Sequence, residues 1–243
     1  MLILLQMDLK RVTTGIEGLD KMLGGGLVQG RSYVLLGGPG SGKTILSMHF
    51  LMDGAKKGEE GLYIALEENS SELKENMSVF GWDLKRIKLI DTTQDLSGKW
   101  SMRIESVIGG PELTLNNILA VLKEYISKYN IKRVVVDSLT SFKLMQKTEV
   151  DYRRSILTLM KFLSTAGCTA VLTVENPDSN FKGSLMEEFL ASGVIDVGFI
   201  EHTGEWLNSI RIKKMRGMAY DQHTRPMKIT DKGVVIFSSE TLY

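Results

Sequence analysis

Residues Gly37-Gly38-Pro39-Gly40-Ser41-Gly42-Lys43-Thr44 satisfy the spacing G-x-x-x-x-G-K-[ST] at every position. Each residue type in that spacing has a physical task. Glycines allow a tight turn that points successive backbone N–H groups at a β-phosphate. Lys43 is the cation for the β- and γ-phosphates, and the Thr44 hydroxyl is a Mg²⁺ ligand. Two acidic features could complete a hydrolytic site. Asp137 ends the apolar run Val134-Val135-Val136, where a carboxylate beside the loop-bearing strand can hold Mg²⁺ through water. Taken alone, an Asp ending a strand is as often structural as functional. Glu67-Glu68 follows the apolar run Leu62 to Leu66 and could orient or deprotonate an attacking water. The plainer reading of that pair is a solvated lead-in to a helix.

Such groups work only if secondary structure places them. Arg31 to Leu36 reads as a short buried strand. Thr44 to Lys57 carries Ile45, Leu46, Met48, Phe50, Leu51 and Ala55 at helical spacing. Strand, glycine loop and helix thus follow in the order that holds a phosphate at a helix N-terminus. Downstream, strands are expected at 62–66, 87–90, 133–136 and 168–174, and helices at 70–80, 113–129 and 149–166. Ser70 or Ser71 is the expected N-cap of the first of these helices and Gly81 its stop. Residues 92–112, with Gly98, Gly109, Gly110 and Pro111, read as a surface excursion. Alternating strands and helices imply a mostly parallel sheet covered on both faces. From Val194 the pattern changes. Val194 to Ile200 and Trp206 to Met215 flank Thr203-Gly204 as an antiparallel hairpin would, and a second turn is expected at Asp231-Lys232-Gly233.

Composition narrows the function classes. A chain of 243 residues, 43% of them hydrophobic, is the size of one domain with a sizeable core. A net charge of +1 gives no global basis for a dedicated nucleic-acid or membrane surface. The single cysteine, Cys168, excludes an internal disulfide and sits in an apolar run as a core residue. The apolar stretch Met1 to Leu5 is too short for a signal sequence or a membrane span, so a cytoplasmic location is expected.

Longer segments carry a family resemblance. Thr14-Gly15-Ile16-Glu17-Gly18-Leu19-Asp20 followed by Leu23-Gly24-Gly25-Gly26-Leu27 resembles the entry motif of the RecA-like core in RadA and KaiC proteins. Glu67-Glu68, Phe80-Gly81-Trp82-Asp83-Leu84, and Lys214-Met215-Arg216-Gly217 followed by Ile229-Thr230-Asp231-Lys232-Gly233 are similar to the KaiC branch. The resemblance implies an α/β, RecA-like P-loop core with a mostly parallel sheet and a C-terminal antiparallel β region. It implies an N-terminal extension over 1–11 and one ATPase domain over 12–243. Gly40 to Ile45 match the family's phosphate-binding positions, Glu67 its proton acceptor and Glu68 the acidic partner. Lys214 and Arg216, with Met215 between them, match residues that reach the γ-phosphate of a neighbouring subunit. Thr230 and Asp231 match residues near base and ribose, also across the interface. The implied cofactors are ATP and Mg²⁺, and the implied assembly is a homohexameric ring. Lys214 and Arg216 could instead be a solvated basic edge that blocks strand pairing.

The chain also departs from the clock protein of that family, which has two such domains. Only Ser192 stands where its second domain has a serine–threonine phosphoacceptor pair, which argues against autokinase activity. Tyr220 replaces a frequent histidine, and Val79 a polar residue that can touch nucleotide. A rival reading is a recombinase paralogue that binds DNA through axis-facing loops at 141–147 and 176–183, each with one phenylalanine and one or two lysines. Neither loop is strongly basic, so DNA is not favoured over a protein partner, for which no docking motif is recognisable.

Overall fold

The computed structural model describes residues 9–91, 114–144, 146–176, 185–202 and 204–240. The surface excursion expected at 92–112 lies outside the described residues, as do 177–183 of the second rival DNA loop. A small antiparallel ribbon of β1 (Arg11–Val12) and β2 (Leu27–Val28) brackets helix α1 (Glu17–Met22). The main sheet begins with β3 (Ser32–Gly37), which feeds helix α2 (Lys43–Lys56) through the glycine loop. There follow β4 (Gly61–Ala65), α3 (Ser70–Ser78), a 3₁₀ turn (Leu84–Arg86) and β5 (Ile87–Asp91). Helix α4 (Leu115–Tyr129) leads to β6 (Arg133–Asp137), α5 (Leu139–Leu144), α6 (Glu149–Thr165) and β7 (Thr169–Glu175). The chain closes with α7 (Met186–Leu190), β8 (Gly193–His202), β9 (Glu205–Met215), β10 (Arg225–Thr230) and β11 (Gly233–Ile236).

Among the described residues, nine strands form one sheet in the order β11-β10-β9-β8-β3-β7-β6-β4-β5. From β8 to β5 every pairing is parallel, and β9, β10 and β11 are antiparallel additions. This is the mixed α/β architecture the alternating sequence implies. The uninterrupted apolar runs are explained by burial on both faces. Tyr33, Leu35, Tyr63, Val135 and Val171 point to one core with Leu46, Phe50 and Leu51 of α2. Their strand neighbours Val34, Leu36, Leu62, Val134 and Leu172 point to the other, with Leu122 of α4 and Ile156 and Leu159 of α6. Cys168 belongs to this second core, where burial raises its thiol pKa to about 11.

Three local expectations change. Asn69, not Ser70 or Ser71, caps α3: its side-chain oxygen accepts from Ser71 N at 2.7 Å. Asn is as good a cap as Ser, and here it is the residue with extended backbone. The strand ending at Asp137 is not beside the strand that carries the glycine loop, because β7 lies between them. Finally, Ser141 to Leu144 lie in helix α5 rather than in a loop. Phe142 is 1% exposed, against the ring of Tyr152, so it presents no face on which a base could stack.

Candidate nucleotide site

Strand alternation assembles the site. Val135 and Val171 face α2, so two residues further on Asp137 and Thr173 face it too, as does Tyr63 on β4. Helix α2 supplies Thr44 from the same side. Three hydroxyls therefore converge on one carboxylate. Thr44 Oγ1 donates to Asp137 Oδ2 at 2.9 Å, Tyr63 OH donates to the same oxygen, and Thr173 Oγ1 donates to Oδ1. This arrangement brings Thr44 and Asp137 together across the intervening β7. Burial, then the Asp137 charge, hold the Tyr63 hydroxyl protonated well above its usual range.

The glycine loop has the geometry its spacing implies. Gly40 and Gly42 adopt φ of +73° and +94°, open to glycine at little cost. Gly42 is the N-cap residue of α2, so the loop ends at the positive end of a helix. Lys43 is 7% exposed, and its ammonium donates to Gly37 O and Gly38 O at 2.9 and 3.0 Å with Glu175 at 3.9 Å. Two buried polar atoms beside the loop, Ser41 Oγ and Asn176 Oδ1, have no hydrogen-bond partner. Orphaned atoms of this kind are rare, and both belong to residues behind the wall of the adjoining cleft rather than on it.

These groups line a cleft of about 380 Å³, within the range of small-molecule sites. Of the sequence-predicted residues, Pro39, Gly40, Gly42, Lys43, Thr44, Ile45, Glu67, Glu68 and Asp137 lie on its wall. Gly38 and Ser41 belong to the same loop behind that wall. The two glutamates differ. Glu67 Oε1 accepts from Ser138 Oγ at 2.6 Å and from Ser141 Oγ, so α5 and the end of β6 orient it. Glu68 accepts from Asn76 Nδ2 at 2.9 Å, and its pKa is raised, chiefly by burial and then by the Asp137 and Glu72 charges. A second depression, about 450 Å³ and open, includes Thr13, Asp20, Asp53 and Lys57. There Asp53 already pairs with Lys57 at 2.7 Å and with the buried Arg133 at 2.9 Å, a structural clasp rather than a site.

The remaining predicted residues divide. Ile229 lines the cleft, and a Cβ added at Gly42 would sit 3.2 Å from Ile229 Cδ1. The strand leading to Thr230 and Asp231 therefore runs past this chain's own glycine loop. Thr230 and Asp231 themselves are not on the cleft wall, and Thr230 Oγ1 donates to Gly233 O at 2.9 Å. His49 of α2 fixes the turn, because its Nε2 accepts from Val234 N at 2.8 Å. The side chain of Met215 is 7% exposed within the core, so only its main chain is left to face a nucleotide. Lys214 pairs across the sheet with Val194, which pairs with Val34. Val34 lies three residues before the loop, roughly 10 Å along the strand. Lys214 and Arg216 are thus not brought to this chain's own phosphate loop.

Sequence reasoning missed Tyr63, Thr173, Glu175, Ser138 and Ser141. A hydroxyl inside an otherwise apolar strand was the available signal, because a buried hydroxyl needs a partner.

A family model described as ATPase: KaiC matches residues 12–241. This chain belongs to the KaiC ATPase family. Among its relatives, a UPF0273 protein of Pyrococcus horikoshii is 36% identical over 241 residues, covering 96% of each chain. One of Thermotoga maritima is 34% identical over 240 residues, covering 96% of this chain and 98% of its own. The circadian clock oscillator protein KaiC of Prochlorococcus marinus is 30% identical over 242 residues, and this chain spans 46% of its length. The crystal structure of a KaiC-like protein of Pyrococcus horikoshii superposes with a TM-score of 0.79 at 30% identity, covering 94% of this chain and 99% of that one. The KaiC-like fold is RecA-like, as the first resemblance implied. Among the described residues no helix is long and apolar enough to cross a membrane.

Proposed function

We propose that this KaiC-family chain binds ATP with Mg²⁺ at the glycine loop and hydrolyses it slowly, in an oligomer whose neighbouring subunit completes each site. The observation that carries the nucleotide reading is that Lys43, Thr44 and Asp137, a cation and an oxygen donor pair suited to Mg²⁺, share the wall of one cleft at the glycine loop. Thr44 and Asp137 would hold Mg²⁺, whose charge offsets that of the phosphates when it is bound. The loop N–H groups and Lys43 orient the triphosphate. Both hydroxyl bonds to Glu67 fall on Oε1, so Oε2 is the oxygen that can accept a proton from an attacking water. Glu68, held up in pKa by burial, is its acidic partner.

Support for the trans arrangement is the distance of Lys214 and Arg216 from their own loop. Such cations can stabilise transferring charge only in a site on another subunit, and a heterologous contact of that kind closes into a ring or runs on as a filament. We favour a hexameric ring on family grounds, in the cytoplasm, with a regulatory output through a protein partner. With Phe142 buried, the first of the two candidate DNA loops offers no stacking face, and a DNA-binding role is not favoured. The test of the nucleotide reading is Lys43→Ala. It should abolish ATP binding or turnover while the circular dichroism of the folded protein is retained. A variant that turns over ATP at the wild-type rate would sink the assignment.

A further inference from the structure

Helix α7 has five residues, too few to hold itself in water. Its place must therefore come from tertiary contacts, and those contacts converge on the proposed trans cations. Lys214 Nζ donates to Glu188 O at 2.6 Å, to Ala191 O at 2.9 Å and to Phe189 O at 3.3 Å. Arg216 Nη2 donates to Phe189 O at 2.7 Å, while the residue as a whole stays exposed. Lys213 Nζ pairs with Glu188 Oε2 at 2.8 Å. So the stretch Glu188 to Ala191 sets where both cations stand.

Besides the apolar packing of Leu185, Met186, Leu190 and Ala191 against the second core, that stretch is set by a buried polar pair. Glu187, 2% exposed, accepts a hydrogen bond at Oε1 from the hydroxyl of Tyr152, 1% exposed on α6. Glu187 Oε2 is buried with no hydrogen-bond partner among the described residues. A carboxylate so placed is an expensive way to join two helices, since an apolar pair of similar volume would serve stability as well or better. What the polar pair adds is direction: one acceptor and one donor allow one rotation of α7 on α6. The carbonyls that hold Lys214 and Arg216 are on the residues immediately following Glu187.

We infer that Tyr152 and Glu187 are positioning residues for catalysis at the neighbouring subunit, acting through α7 on Lys214 and Arg216. The inference rests on the trans reading proposed above. Neither residue lines the cleft of its own chain. Loosening the pair should leave that chain's nucleotide binding intact and weaken the cations it extends to the next site.

Tyr152→Phe removes the hydroxyl alone, and Glu187→Leu removes the acceptor at similar volume. Each should lower kcat for ATP about three- to tenfold with KM changed less than about twofold, the signature of an interaction made in the transition state. Glu187→Gln keeps an acceptor oxygen for Tyr152 and should recover most of the turnover. The decisive readout is complementation. Tyr152→Phe subunits have intact P-loops and misplaced cations, and Lys43→Ala subunits have the reverse. Mixed, they should turn over more ATP than the sum of the separate preparations. Arg216→Ala mixed with Lys43→Ala runs in parallel. If that pair complements and the Tyr152→Phe pair does not, the positioning role is wrong and the trans reading stands. If neither pair complements, both fall. Equal turnover by Tyr152→Phe and wild type, or Glu187→Gln as impaired as Glu187→Leu, would also overturn the role.

Discussion

Acidification should unfasten His49, and with it the turn that carries Thr230 and Asp231. The His49 ring is half-buried between α2 and the β10–β11 turn, edge-on to Trp82 with centroids 4.8 Å apart. Burial, and secondarily the positive charge of Lys56 on the same helix, lower its pKa from 6.5 to about 4. Its Nε2 also accepts the Val234 N–H, a bond that a protonated ring cannot make. The sign follows directly. Between pH 6.5 and 4 the unfolded chain takes up a proton that the folded chain excludes, so stability falls as pH falls. The contribution is fully present above 6.5. Its complete loss corresponds to about 3 kcal/mol, of which about 2 kcal/mol is gone by pH 5. Carboxylates held low, such as Asp53 and Asp221, weaken the fold only at still lower pH, through values already below 3.8.

Glu, Asp and the other histidines titrate in any variant, so the contrast must come from His49 alone. His49→Gln keeps an acceptor oxygen and removes the titration. Urea unfolding followed by far-ultraviolet circular dichroism at pH 7 and pH 5 gives the comparison. With a slope of about 3 kcal/mol per molar urea, the wild-type midpoint should drop about 0.7 M further than that of the variant. Equal drops in the two proteins would refute the account of His49 as a neutral acceptor.

Three further outcomes are expected. Glu67→Gln should retain ATP binding by calorimetry but lose most turnover, and an active Glu67→Gln with a dead Glu68→Gln would mean that the pair is reversed. Tyr63→Phe removes one of the three hydroxyls on Asp137, a charge-assisted bond worth roughly 1.5–3 kcal/mol. It should lower stability by that order and raise the Mg²⁺ concentration for half-maximal turnover; an unchanged Mg²⁺ titration would remove Tyr63 from the site. Gly42→Ala places a Cβ at φ of +94° and 3.2 Å from Ile229 Cδ1, which should cost about 1–3 kcal/mol and weaken ATP binding measurably.

The glycine loop, its flanking strand and helix, and Asp137 were legible because their chemistry is encoded in contiguous residues. The two-sided burial of the parallel strands was legible for the same reason, as apolar runs without alternation. Strand order was not. Nothing local in Val134 to Asp137 says that β7 separates β6 from β3, and without that order the convergence of Tyr63, Thr173 and Glu175 cannot be seen. Once the order is known, simple alternation finds all three. Thr230 and Asp231 were assigned from a match to a family motif, which carries no geometry; the structure adds that Ile229, just before them, lines this chain's own cleft. Phe142 was misjudged for a related reason: a helix of six residues gives too short a period to show which face is buried. The buried Tyr152–Glu187 pair joins residues 35 apart in sequence and left no sequence signal at all.

The central claim is that one subunit's loop and another's cations make one site, and mixing subunits tests it most directly. Lys43→Ala and Arg216→Ala proteins should each be inactive alone. Unfolded together in equal amounts, refolded and assayed for phosphate release with ATP and Mg²⁺, they should assemble at random. About one site in four then pairs an intact loop with an intact neighbouring arginine, so turnover should reach about a quarter of the wild-type rate per chain. No turnover in the mixture, with a monomeric mass under the same conditions, would contradict the account.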